Sequence, residues 1–317
     1  MIQWRVSEMS IEKRKAKSLI MKIILMGVRK KFSRTFVGHD MDVEALKKAR
    51  AVMDENELKR KKNPHVICSV RDIEGVKTEV TEPKEKKTDN IILFLHGGAF
   101  VLNMFPYERT YLETLSDKLG CTVYAVDYSL APESKYPIAL DECEKVYVKL
   151  AKENPDSKIC VMGLSAGGNL ATALTLRIKA EKIKMPSAVI LHSPVIDLSG
   201  HLDRGINADI NNDMIVKYTG RKQSFAVYVG NADATRYDVS PCYGDFSGFP
   251  PAFITCESHE TLFADSAALD KLLEKAGVPV KTVQLDGSFH AYAALGERTP
   301  ETKKILNECI SFIKENY

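Results

Sequence analysis

Residues 159–180 read ICVMGLSAGGNLATALTLRIKA, and the change of pattern inside that stretch decides the fold. Ile159 to Met162 is a short apolar run without alternation, as in a strand buried on both faces. A helical pattern begins near Asn169. Between the two lies Gly163-Leu164-Ser165-Ala166-Gly167, a G-x-S-x-G turn with a strand before it and a helix after it. A serine on so sharp a turn has its hydroxyl exposed, and small residues at 163 and 167 let the strained backbone pass close to its neighbours. The helix amino terminus behind Ser165 favours negative charge, and the Ala166 N–H can donate to an oxyanion. No Gly-Lys-[Ser/Thr] follows, so the turn is not a phosphate loop.

Working outward, strand-like runs recur at Ile91–Leu95, Thr122–Val126, Ala188–Leu191, Ala252–Thr255 and Val280–Leu285. Helical patterns separate them at Tyr107–Leu119, Ala139–Glu153, Leu262–Ala276 and Glu301–Asn316. Alternation of this kind predicts an α/β fold with a mostly parallel central sheet flanked by helices, its ligands bound at the carboxyl ends of the strands. Upstream, residues 10–36 read as one or two helices with an apolar stripe of Leu19, Ile20, Ile23, Ile24 and Val28, expected to pack on the protein's own body, the alternative being an amphipathic segment that rests on a membrane or gates an apolar pocket. A second helix is expected over 40–62, and two short strands over 66–80.

The residues at the predicted strand ends carry chemistry. His96-Gly97-Gly98-Ala99-Phe100 follows the Ile91–Leu95 run, and adjacent glycines can turn their N–H groups into a cleft as preorganised donors. A serine nucleophile needs a base titrating near neutrality. Of seven histidines, His290 lies just beyond the last strand, where the chain order Ser, acid, His places it. His39, His65, His96, His192 and His201 read as structural or surface histidines. The acid should come from the segment after Ala252–Thr255, where Glu257, Glu260 and Asp265 compete and the pattern alone does not rank them.

Composition bounds the rest. The 317 residues are 44% hydrophobic and 27% charged, with 45 Lys+Arg against 42 Asp+Glu; that is a globular chain whose net +3 predicts no nucleic-acid partner. Seven irregularly spaced cysteines form no C-x-x-C pair and no disulfide framework, which suits a reducing, cytoplasmic setting. The apolar start, Ser18 to Val28, is broken by Lys22, too short to span a bilayer and without a cleavage site, so stable membrane insertion is not expected.

Several motifs in one order resemble the hormone-sensitive-lipase-like branch of the α/β-hydrolase fold, the group of bacterial carboxylesterases and acetyl esterases: HGGAF at 96–100, DYSLAPE at 127–133, GLSAGGN at 163–169, SPVIDLS at 193–199, ESHETLFAD at 257–265 and GSFHAY at 287–292. The resemblance covers about residues 90–317 and implies an eight-stranded sheet. It also implies a helical cap from residues 1–45 and an insertion at about 198–232, on a catalytic domain of 46–317. The family's acid occupies the first place of Asp-x-Leu. Leu262 puts Glu260 there, a Glu for the usual Asp, with Asp265 as the alternative. Other departures are Ala99 for a third glycine and Ser129 for a usual arginine.

The resemblance implies hydrolysis of short-chain acyl esters through an acyl-enzyme. Ser165 would be the nucleophile, His290 the base and Glu260 its orienting acid, with Gly97, Gly98, Ala99 and Ala166 N–H groups around the oxyanion. No metal or cofactor is called for. The expected partner is a small-molecule ester, and a homodimer is possible. Ile20, Ile23 and Ile24, or Met214, Ile215 and Tyr218, would line an apolar pocket. The competing readings are a non-catalytic small-molecule binder on the same fold and an amidase or peptidase.

Overall fold

The protein's structure, a computed structural model, describes residues 11–32, 43–202, 213, 215 and 218–317, the side chains of 29–32 and 218–223 excepted. Met214 and the Tyr218 side chain, named above for the pocket, and His39 therefore lie outside the described residues.

In chain order the strands are β1 (Glu12–Lys15), β2 (Val66–Ile73), β3 (Val76–Pro83), β4 (Ile91–Leu95), β5 (Thr122–Val126), β6 (Ile159–Leu164), β7 (Ala188–His192), β8 (Ala252–Cys256) and β9 (Val280–Asp286). They form one sheet in the order β1-β9-β8-β7-β6-β4-β5-β3-β2. Only β3 runs against the rest, pairing antiparallel with both β2 and β5. At the centre of the sheet β4, β6, β7 and β8 are buried along their whole length, as the continuous apolar runs predict.

The α-helices are α1 (Leu19–Phe32), α2 (Val43–Leu58), α3 (Pro106–Leu119), α4 (Ile138–Glu153), α5 (Ala166–Ala180), α6 (Tyr218–Val229), α7 (Phe263–Lys275) and α8 (Pro300–Glu315). Alternate residues of β4 divide the core. Ile91, Leu93 and Leu95 pack with α2, α4, α5 and α7, whereas Ile92 and Phe94 pack with α1, α3 and α8. The period-two side-chain direction of a strand is thus the whole reason one pentapeptide serves two cores.

Two expectations at the amino terminus fail. Residues 12–15, expected to be helical, form β1 and add a ninth strand, pairing in parallel with β9 from Glu12 opposite Val283 to Lys15 opposite Asp286. The segment EKRK has no apolar period to support a helix, and the open edge of β9 satisfies its backbone groups instead. Its charged side chains blunt the edge it creates. The contacts that fasten it include Arg14 donating to Glu308 at 2.8 Å and the Ser18 hydroxyl donating to Glu301 at 2.7 Å. In α1 the buried anchor is Met21, while Leu19, Ile20 and Ile23 are exposed; the stripe read from the sequence is not the face that packs.

Candidate active site

Ser165 sits between β6 and α5 with φ 57° and ψ −115°, a conformation unfavourable for a residue with a Cβ. Three glycines permit it. A Cβ on Gly163 would run into the Gly167 carbonyl, one on Gly167 into the carbonyls of Leu95 and His96, and one on Gly168 would stand 2.8 Å from Pro194. The turn is then tied down by backbone bonds, with Ser165 N–H donating to His192 O at 2.9 Å and Val195 N–H to Ser165 O at 3.2 Å.

His290 lies 125 residues further on, in the loop after β9, yet its Nε2 is 2.9 Å from Ser165 Oγ. Its Nδ1 is 2.6 Å from Glu260 Oε2. The neutral tautomer with the proton on Nδ1 satisfies both contacts: the ring donates to Glu260 and accepts from the Ser165 hydroxyl. All three side chains are buried. Burial lowers the affinity of His290 for a proton, but the hydrogen bond and charge of Glu260, with a smaller contribution from Asp213, outweigh it and hold the imidazole above its usual 6.5.

The competing acids have other duties. Asp265 Oδ1 accepts the N–H groups of Ile196 and Asp197 at 3.0 and 3.2 Å, fastening the loop after β7 to α7. Glu257 accepts the His259 N–H at 2.6 Å and the Gly287 N–H at 3.2 Å, joining the loop that carries Glu260 to the loop that carries His290; burial raises its carboxyl. Glu260 itself turns its second oxygen back to the Glu257 N–H at 3.0 Å. Asp213 accepts the Thr261 N–H at 2.7 Å, so residue 213 also steadies the turn next to Glu260. His192, with Tyr111 and Thr255 hydroxyls at 3.0 and 2.9 Å, is pushed down to about 3 by burial and is a neutral structural group.

The model of a family described by its α/β-hydrolase fold matches residues 92–294. An esterase of Acinetobacter venetianus is 31% identical over 266 residues, 83% of this chain and 87% of its own. The crystal structure of a hormone-sensitive lipase from a metagenome library superposes with a TM-score of 0.84 at 26% identity, covering 96% of this chain and 99% of that one. The chain belongs to the hormone-sensitive-lipase-like α/β hydrolases. An arylesterase of Saccharolobus solfataricus, 29% identical over 67% of this chain and 71% of its own, is a further similar relative.

In this hydrolase the segment after β4 differs from its reading in one respect. Gly97 was expected among the oxyanion donors, but its N–H already donates to Glu108 Oε1 at 2.8 Å. Gly98 and Ala99 follow with φ of 113° and 54°, and Ala166 opens α5. Two further side chains, not singled out from the sequence, hold backbone carbonyls next to this turn. Tyr128 donates to the His96 carbonyl at 2.8 Å, and Arg50 of α2 donates to the Val101 carbonyl at 2.8 Å. The one visible signal was the spacing of Phe105-Pro106-Tyr107-Glu108, a helix start with an acid at its third position.

Proposed function

We propose that this carboxylic ester hydrolase acts on short-chain acyl esters through Ser165, His290 and Glu260. The observation that carries the reading is the buried hydrogen-bonded chain from the Ser165 hydroxyl through His290 to Glu260, with contacts of 2.9 and 2.6 Å. His290 Nε2 takes the serine proton as Oγ attacks the ester carbonyl. The negative charge that forms on the carbonyl oxygen is received by the N–H groups of Gly98, Ala99 and Ala166. His290 then gives its proton to the departing alcohol, leaving an acyl-enzyme. A water that loses its proton to the same nitrogen attacks the acyl carbon, and the imidazolium returns the proton to Ser165. Glu260 stays ionised, holding the ring and balancing its positive charge.

Apart from β1 (Glu12–Lys15), which belongs to the sheet, residues 1–45 and about 198–232 are proposed as the cap over this site, where acyl length is selected. The proposal includes action in the cytoplasm, in keeping with seven free thiols. Among the described residues no helix is long and apolar enough to cross a membrane. The test is a series of p-nitrophenyl esters from acetate to decanoate with Ser165→Ala as control. Turnover should be greatest on the shortest chains and vanish in the variant while its melting temperature is retained. Undiminished turnover in Ser165→Ala refutes the nucleophile, and a decanoate optimum refutes the substrate class.

A further inference from the structure

The segment from Gly97 to Phe105 leaves β4 and enters α3 through a strained backbone. Gly98, Ala99 and Phe100 have successive φ of 113°, 54° and 65°, and two of the three carry a Cβ that disfavours the left-handed region. The N–H groups of Val101 and Leu102 both converge on the Gly98 carbonyl at 3.0 Å. The outside grips on this segment include Tyr128 on the His96 carbonyl and Arg50 on that of Val101. Those two take carbonyls. Glu108 holds N–H groups, and it holds them at both ends of the segment.

Glu108 Oε1 accepts the Gly97 N–H at 2.8 Å and Oε2 accepts the Phe105 N–H at 2.6 Å, with the carboxylate wholly buried. A glutamate at the third position of a helix commonly reaches back to its cap with one oxygen. The second oxygen, on Gly97 eleven residues upstream, is not needed for capping.

We propose that Glu108 is a positioning residue for the oxyanion-binding turn: by fixing the amides of Gly97 and Phe105 it holds the strained residues between them, so that the N–H groups of Gly98 and Ala99 stand ready before charge develops. This rests on the esterase reading above. The role requires two acceptor oxygens on one side chain, which an ionised carboxylate supplies. Burial raises the Glu108 carboxyl to about 7 against the two N–H bonds that favour its charged form, so the charge is costly to keep inside the fold.

Glu108→Gln keeps the shape but sets an amide N–H₂ against one of the two backbone donors. Removing an oxyanion donor outright lowers kcat by about 10²–10³; loosening the turn should lower it on p-nitrophenyl acetate by at least about tenfold, with KM changed by less than about threefold. Affinity for an aryl trifluoromethyl ketone, whose serine adduct carries the oxyanion, should fall in step. If the variant melts lower but keeps kcat and ketone affinity, Glu108 is a helix cap only and the inference fails; it fails equally if the whole loss appears in KM. Should Glu108→Gln not fold, Glu108→Asp replaces it, since the shorter carboxylate cannot span both amides: reduced kcat at constant KM supports the role, and full kcat overturns it. Ser165→Ala separates the two claims. An inert Ser165→Ala beside a fully active Glu108→Gln sinks only this inference, whereas an active Ser165→Ala sinks the esterase reading itself.

Discussion

Replacing Glu260 by Gln preserves the volume of the side chain while removing the charge that faces His290. The contact is 2.6 Å and both partners are buried. With charge centres about 4 Å apart, an effective dielectric of about 20 gives an attraction of about 4 kcal/mol once the imidazolium forms, or about 10³ in rate at about 1.4 kcal/mol per tenfold. The carboxamide also offers N–H₂ where Nδ1–H now donates, favouring the wrong tautomer. An acid-to-amide change of this type lowers kcat by about 10⁴ in the Ser-His-Asp hydrolases, so a loss of about 10³–10⁴ is expected for Glu260→Gln. Asp265→Asn is the matched control: the amide oxygen in the place of Oδ1 still accepts from Ile196 and Asp197, and the cost should be about 1–2 kcal/mol of stability with kcat nearly retained. Steady-state hydrolysis of p-nitrophenyl acetate across pH reads both. Without the carboxylate the two largest influences that raise His290 are gone, so the acid limb of kcat/KM in Glu260→Gln should move to lower pH. Should Glu260→Gln keep more than about a tenth of kcat while Asp265→Asn loses several orders, the acid has been misassigned and the geometry misread.

Gly167→Ala should fail to accumulate as folded protein or lose about 3 kcal/mol in urea unfolding, because its methyl meets the carbonyls of Leu95 and His96; a parental unfolding curve would contradict the close approach at the elbow. For His290 the sign follows from its raised proton affinity. In the proposed mechanism the base works neutral, so kcat/KM should climb with pH through a midpoint above 6.5, and the stability contributed by the Glu260 contact, full below the unfolded-state value, should fade as pH rises through the folded one. A midpoint below 6.5 in the pH profile would show burial winning over the carboxylate. Tyr228 stacks on Phe100 with ring centroids 3.9 Å apart, and its hydroxyl has no partner among the described residues. Tyr228→Phe should therefore melt no lower than the parent, while Tyr228→Ala should lose about 3–5 kcal/mol and slow turnover by freeing the turn at Phe100.

The centre of the sheet was legible because β4, β6, β7 and β8 are buried along their length, and a mostly apolar run suits such a place. Ile91–Leu95 and Ile159–Leu164 needed no other signal, and Gly163 with Gly167 marked the turn between β6 and α5 through their lack of a Cβ. Where β1 pairs with β9, the sequence carried no such mark. EKRK is polar, its strand state comes from an edge built about 270 residues later, and local period is silent about partners so remote. The same holds for α1. An apolar stripe shows that some face is to be covered, but not which one, and Met21 rather than Ile20 or Ile23 found the core.

The adjacent glycines of the HGGAF segment make the sharper case, since they are alike as letters and serve opposite needs. Gly98 is required by its φ of 113° and by the Leu102 carbonyl 2.7 Å from where a Cβ would stand. Gly97 is required by space alone, with the Leu164 side chain 2.6 Å from its missing Cβ and Glu108 3.3 Å away. A sequence shows both as amides available to a ligand. The fold assigns one of them to a buried carboxylate, and that assignment depends on α3 starting at Pro106 so that Glu108 points back along the segment. Which backbone donors face a substrate is thus settled by which ones the protein has already used, an accounting of buried polar groups that no local motif contains. It follows that changing Ala99 to a third glycine, as relatives of this kind are expected to have, alters the stiffness of the turn but not the number of its donors, whereas losing Glu108 releases an amide at Gly97 and the constraint on its neighbours together.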